Sequence, residues 1–171
     1  MSGRQMMATR TYLEMRDPSA LRPAQVPAIS FSIERLEPCP PAVWRYLYIE
    51  VGRRHRWIDR LDWTDEEARA YLDDPAVSVW LLTVGSEPAG YFELRRDSEG
   101  GVEIAYFGLM HGFHGQGLGG HLLTVATQEA WKLGATRVWL HTSTLDHPAA
   151  LPNYLNRGFE IVRSENYITA V

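Results

Sequence analysis

Five of the nine residues from Gly112 to Gly120 are glycine, in the run GFHGQGLGG, and the chain continues as HLLTVATQEAWKLG, apolar and helix-forming. A glycine-rich turn that opens a helix gathers backbone N–H groups at the positive end of the helix dipole, which suits a phosphate. The glycines alone leave open whose phosphate it is. Gly115, Gly117 and Gly120 fit the dinucleotide pattern G-x-G-x-x-G. That pattern also needs an acidic residue about 20 positions on, at the end of the next strand, to hold the ribose hydroxyls. The corresponding run, 139–143, reads WLHTS and has no carboxylate, and Asp146 comes later, as a cap at the start of an expected helix. A nicotinamide or flavin site is disfavoured on that ground.

Other side chains could carry chemistry. His111 and His114 have H-x-x-H spacing with His121 nearby, but they sit across a loop and no carboxylate completes a ligand set, so no metal site is expected. Cys39 is the single cysteine, which excludes an internal disulfide and a cysteine-based metal cluster. The segment RRHRWIDRLDW (53–63) mixes Arg53, Arg54, Arg56 and Arg60 with Trp57 and Trp63. It reads either as a basic aromatic lid for an acceptor bearing a carboxylate or phosphate, or as a solvated basic face. His141, at the end of a strand, reads as an ordinary sheet residue or as one facing an acceptor.

The elements that must position these groups follow from periodicity and punctuation. Residues 1–28 carry Pro18, Pro23 and Pro27 and read as an arm with one short strand at TRTYLEM. A strand is expected at 29–36 and a helix at 40–54. A second helix at 64–74 has Thr64 as its N-cap, acidic residues in the first turn and Pro75 beyond the end. Strands at 77–84 and 89–96 flank GSEP, a hairpin turn, and a strand at 102–110 leads into the glycine loop. The helix after the loop runs to Gly134, followed by a strand at 137–143. A short helix lies within 146–158, where Pro152 implies a kink or a start one turn later. The final run, FEIVRSENYITA, reads as a hairpin. An antiparallel meander feeding a strand–loop–helix–strand unit makes an α/β (α+β) domain with a mixed sheet and helices on both faces.

From about residue 29 to the end, the sequence resembles the GNAT superfamily of acetyl-CoA-dependent N-acetyltransferases. The family's mark, Arg/Gln-x-x-Gly-x-Gly/Ala after its fourth strand, reads here His114-Gly115-Gln116-Gly117-Leu118-Gly119. A second mark, Ala-x-x-x-Tyr-x-x-x-Gly-Phe, is matched by Ala150, Tyr154, Gly158 and Phe159. The resemblance implies one acetyltransferase domain over 29–171, with a sheet of six to seven strands and acetyl-CoA in the splay between strands four and five. It implies cofactor binding by the 114–120 turn, Gly120 included, and by the backbone of Phe107 and Leu109, which pairs with the pantetheine amides. His114 stands where the family mostly has Arg or Gln, and its charge would make affinity pH-dependent. His147 stands where many members have an Asn that touches the pantetheine, and reads as its substitute or as a residue near a helix start.

For catalysis the resemblance implies direct acetyl transfer to an amine, with Tyr154 as the acid beside the cofactor sulfur and Glu103 as the base. Glu93 and a water are the reserve bases. If no bulge intervenes, alternation puts Glu103, Ala105, Phe107 and Leu109 on one face. A non-catalytic acyl-CoA sensor of the same fold is the alternative. The net charge of −4 gives no nucleic-acid footprint, and no apolar run reaches a membrane span of about 20 residues. The opening residues lack the apolar core of a signal peptide, so a cytoplasmic protein is expected. The acceptor is a small molecule or a peptide amine, and the resemblance also allows a homodimer.

Overall fold

The computed structural model describes residues 3–170. One mixed sheet of seven strands forms the centre: β1 (Gln5–Met15), β2 (Phe31–Leu36), β3 (Val77–Val84), β4 (Glu87–Arg96), β5 (Val102–Leu109), β6 (Val138–Ser143) and β7 (Glu160–Ala170). Their spatial order is β2-β3-β4-β5-β6-β1-β7. Four helices cover it: α1 (Pro41–Gly52), α2 (Asp65–Asp73), α3 (Leu118–Lys132) and α4 (Ala150–Asn156). The result is a single α/β domain.

The two faces carry separate cores. On one, Leu118, Leu122, Leu123, Ala126 and Ala130 of α3 pack against Phe92, Ile104, Val138 and Leu140 of the sheet, with Tyr154 and Phe159 alongside. On the other, Trp44, Leu47 and Val51 of α1 and Ala68 of α2 pack on Val79 and Tyr91. The helix starts obey local chemistry. Thr64 accepts the Glu67 N–H at 3.1 Å, and Glu67 returns the favour to the Thr64 N–H at 3.2 Å, a reciprocal capping box. Pro152 falls in the first turn of α4, where its missing N–H costs nothing.

Two segments differ from their sequence reading. Residues 5–15 are not part of a separate arm: β1 lies inside the sheet, antiparallel to β6 on one side and to β7 on the other. The C-terminal run is one strand and not a hairpin. Its polar middle, which reads as a turn, is paired residue by residue with β1. Thr9 Oγ1 donates to Asn166 Oδ1 at 2.9 Å, Thr11 and Ser164 hydroxyls meet at 3.1 Å, and Tyr12 donates to Glu165 Oε1 at 3.0 Å.

A bulge decides which residues share a face of β5. Glu93 pairs with Tyr106 and the next residue, Leu94, with Ile104, so Ala105 is the extra residue. Glu103 and Tyr106 therefore face α1 and α2, whereas Ile104 and Phe107 face α3. The uninterrupted alternation that would group Glu103 with Phe107 does not hold.

Candidate functional site

The sheet opens at one place. β5 and β6 are parallel neighbours, yet they pair only at Val102–Val138 and Glu103–Trp139. Beyond that rung β5 continues to Leu109 and β6 to Ser143 without pairing, so the strands splay and leave backbone groups of β5 free to receive another chain. Gly108 sits in this opening. A Cβ there would come within 2.5 Å of Val51 Cγ1 and 3.6 Å of Trp57 Cη2, so only glycine lets α1 lie this close.

The glycine turn stands at the mouth of the splay. Gly117 is the N-cap of α3 in a left-handed conformation (φ 79°), with no side chain capping the helix and no acidic residue in its first turn. The first N–H groups of α3 are thus left for a ligand, at the positive end of the dipole. Asn153 of α4 donates to the Gly119 carbonyl at 3.1 Å, which ties this helix start to α4.

A cavity of about 240 Å³ fills the splay. Phe107, Gly108 and Leu109 form one wall, the 114–120 turn another, and His147, Asn153 and Tyr154 a third. Val51, His55 and Trp57 close it from the side of α1. An outer lobe continues past His114 and His147 to Arg54 and His111. Of the residues expected to hold a cofactor, Phe107, Leu109, His114, Gly115, Gly117, Gly119, Gly120 and His147 all line the cavity. Gln116 is exposed, and the Leu118 side chain is buried in the core.

The polar groups here have distinct states. Tyr154 is 5% exposed. Burial, reinforced by the Asp146 charge, pushes its phenol well above the usual range, so it stays protonated at neutral pH. Its ring meets Phe107 edge-on at 6.1 Å. The His114 and His147 rings stack with centroids 4.0 Å apart and planes within 5°. Burial first, then His147, His55 and His111, lower the His114 pKa. The Ala149 N–H donates to His147 Nδ1 at 3.1 Å, which makes that nitrogen the unprotonated one.

The carboxylates singled out from sequence lie elsewhere. Glu93 is fully buried beneath α1 and saturated with donors. Arg60 reaches it with Nη1 at 2.8 Å and Nη2 at 3.0 Å, Trp44 Nε1 at 2.8 Å and Tyr71 Oη at 2.6 Å. Glu103 sits at the closed base of the splay, on the last rung that pairs with β6, and meets Arg95 at 3.4 Å. Burial raises its pKa against the opposing effect of Arg95. Gly108 lies five steps further along the strand, about 16 Å at the usual rise per residue.

The arginines of the 53–63 segment do not form one basic patch. Arg53 pairs with Glu50, Arg54 meets His111, Arg56 donates to the Ala170 carbonyl and Arg60 is buried on Glu93. His141 is open to solvent beside Tyr12, and burial of its inner side lowers its pKa. Cys39 lies away from the cavity, its thiol pushed up to about 11 by burial. Among the described residues, no group of three His, Cys, Asp or Glu is arranged to hold a metal.

Sequence reasoning missed Asn153 and the position of Asp146. Asp146 is not the cap of α4, whose N-cap is Ala149. Its carboxylate instead lines the cavity and holds the end of β6, accepting from Thr142 Oγ1 at 2.7 Å and from the Ser143 N–H at 2.9 Å. Its donors lie three and four residues upstream, so a carboxylate just past a strand end fits a turn back onto that strand as well as a helix cap.

The acetyltransferase (GNAT) family model matches residues 43–159. No curated protein matches the sequence significantly. Among solved structures, a GCN5-related N-acetyltransferase from Kribbella flavida is 20% identical with a TM-score of 0.68, over 97% of this chain and 59% of its own. One from Sphaerobacter thermophilus is 13% identical with a TM-score of 0.70, over 96% of this chain and 52% of its own. An aminoglycoside acetyltransferase from an uncultured soil metagenomic sample, solved with trehalose, is 19% identical with a TM-score of 0.60, over 74% and 86%. At these identities the likeness is one of fold. This chain spans little more than half the length of the first two.

Proposed function

Since the chain belongs to the acetyltransferase (GNAT) family, we propose that it transfers an acetyl group from acetyl-CoA directly to a primary amine. One observation carries this reading: an apolar cavity in a splayed sheet opens onto an uncapped, glycine-rich helix start. A long ligand with a diphosphate at one end and an amide-bearing arm fits that combination. The turn would bind the diphosphate through backbone N–H groups, and the free edge of β5 at Phe107 and Leu109 would pair with the arm.

Three chemical demands follow. A lysine-like amine has a pKa of about 10.4, so delivering it neutral at pH 7 costs about 4–5 kcal/mol. The tetrahedral oxyanion needs a donor, for which the backbone around Gly108 is the candidate. The thiolate needs a proton, a step worth typically 10²–10⁴-fold. Tyr154, protonated and on the cavity wall, would supply it. The distance of Glu103 and the saturation of Glu93 favour water over either carboxylate as the group that takes the amine's proton.

The test is release of thiol from acetyl-CoA against a panel of primary amines, repeated for Tyr154→Phe. Turnover in the variant should fall 10²-fold or more while its dissociation constant for CoA stays within about twofold. Equal turnover would assign Tyr154 to packing alone.

A further inference from the structure

Four of the chain's six histidines, His55, His111, His114 and His147, meet at the mouth of the splay. His114 and His147 line both lobes of the cleft and stack at 4.0 Å, so they stand between the inner cavity and the outer lobe. The outer lobe has a volume of about 370 Å³, and Glu50, Arg54, His111 and Gly112 line it without lining the inner cavity. Its polar side chains are mostly donors. Arg54 meets no carboxylate among the described residues, and its side chain's one partner is His111 Nδ1, at 2.9 Å. A guanidinium only donates, so this nitrogen accepts and the His111 proton sits on Nε2. The Ala149 N–H fixes His147 in the same tautomer. The one carboxylate on the lobe, that of Glu50, is taken by Arg53 at 2.6 Å. The lobe thus offers a guanidinium and two imidazole N–H groups, and its single carboxylate is already paired.

We propose that the outer lobe is a second anion site, in which Arg54 and the Nε2–H groups of His111 and His147 hold a phosphate or carboxylate group apart from the diphosphate on the glycine turn. The inference rests on the acetyl-CoA reading for what occupies the turn. A planar guanidinium fork matches two oxygens of such a group at once, and charge-assisted hydrogen bonds of this kind are the strong ones. Two molecules in the reaction can bring an anion here. CoA carries a further phosphate, on its ribose, and an acceptor amine can carry a carboxylate or phosphate of its own. The chemistry is shared, and the experiment tells the two sources apart.

The competing role for Arg54 is a strut from the end of α1 to the loop after β5. Arg54 is exposed, so its replacement leaves the core untouched. Binding of CoA and of dephospho-CoA, which lacks only the ribose phosphate, is measured by calorimetry for wild type, Arg54→Met and Arg56→Met. Arg56 donates to the Ala170 carbonyl and lines neither lobe, so its variant makes the same change of net charge outside the site. In parallel, inorganic phosphate is titrated into free and CoA-saturated protein and followed by the ring NMR signals of His111 and His147. If the cofactor supplies the anion, wild type should prefer CoA over dephospho-CoA by about ten- to hundredfold. If the acceptor supplies it, the two cofactors should bind alike, and phosphate should shift both ring signals in the CoA-saturated protein. Arg54→Met should abolish whichever effect wild type shows, and Arg56→Met should keep it.

Equal binding of the two cofactors, with no phosphate response in the loaded protein, overturns the proposal and requires no variant. So does an effect that survives Arg54→Met, which makes Arg54 a strut only. An effect lost equally in Arg54→Met and Arg56→Met assigns it to overall charge and also overturns it. Failure of CoA to bind at all would instead tell against the acetyl-CoA reading. Phosphate titrated into the free protein then still decides the lobe: shifts at His111 and His147 that Arg54→Met removes uphold it, and none in wild type overturns it.

Discussion

Replacing Arg60 by Met should be among the most damaging single changes in this protein, although Arg60 touches no part of the cavity. The guanidinium is buried, makes a two-pronged contact with Glu93, and lies within 4.3–5.1 Å of the ring centroids of Trp44, Trp63, Tyr71 and Tyr106. Methionine keeps most of the volume, so the loss isolates the charge. It leaves the Glu93 carboxylate fully buried with only two neutral donors, Trp44 Nε1 and Tyr71 Oη. Breaking one side of a buried pair costs about 3–5 kcal/mol, because the remaining charge is stranded. For a chain of 171 residues that is a fall in Tm of about 8–14 °C. Thermal unfolding followed by near-ultraviolet circular dichroism suits the test, because Trp44 and Trp63 report on the region directly. The double variant Arg60→Met/Glu93→Leu should recover much of the loss, since neither charge then remains buried. A loss below about 1 kcal/mol in Arg60→Met would refute the structural assignment of Glu93 and return it to the list of bases.

Two further outcomes follow from the site. Gly117→Asp places an L side chain at φ 79° and a negative charge at the start of α3, so CoA binding measured by calorimetry should fall at least 10²-fold. The His114 pKa lies below its usual 6.5, so His114 is neutral at pH 7.5 and proton uptake opposes the folded state as pH falls through 6.5. A bound diphosphate favours the charged ring, so CoA affinity should gain from His114 as pH drops from 7.5 to 5.5, while stability declines over the same range. His114→Gln should remove that gain, and titrations of CoA at several pH values would expose an unchanged profile.

Much of the site-bearing half of the fold is legible in the sequence because its signals are local. The glycine turn, the Thr64 N-cap and the GSEP turn between β3 and β4 are each written in a few consecutive residues. The positions of β1 and β7 are not local. A strand over TRTYLEM reads from the sequence, but its place between β6 and β7, and the strand character of Ser164 and Asn166, arise only from pairing with distant segments. The bulge at Ala105 has no sequence signature, yet it turns Glu103 away from the face of Phe107. The Arg60–Glu93 pair joins residues 33 apart in sequence, so Glu93 reads as a free strand carboxylate and Arg60 as one of a basic cluster. The glycine turn and Tyr154 are legible in the sequence and line one cavity, whereas the approach of Asp146 and Trp57 required the folded chain.

The most direct measurement is the thermal shift of the purified protein with acetyl-CoA, CoA and NAD(P)H, each at about 100 times a micromolar-range Kd. A ligand at that excess stabilises by about 2.7 kcal/mol, about 5–10 °C for a domain of this size. A rise with acetyl-CoA and CoA but none with NAD(P)H is the predicted result. A response to the nicotinamide alone would contradict the account, and a flat response to CoA would leave the glycine turn without its proposed ligand.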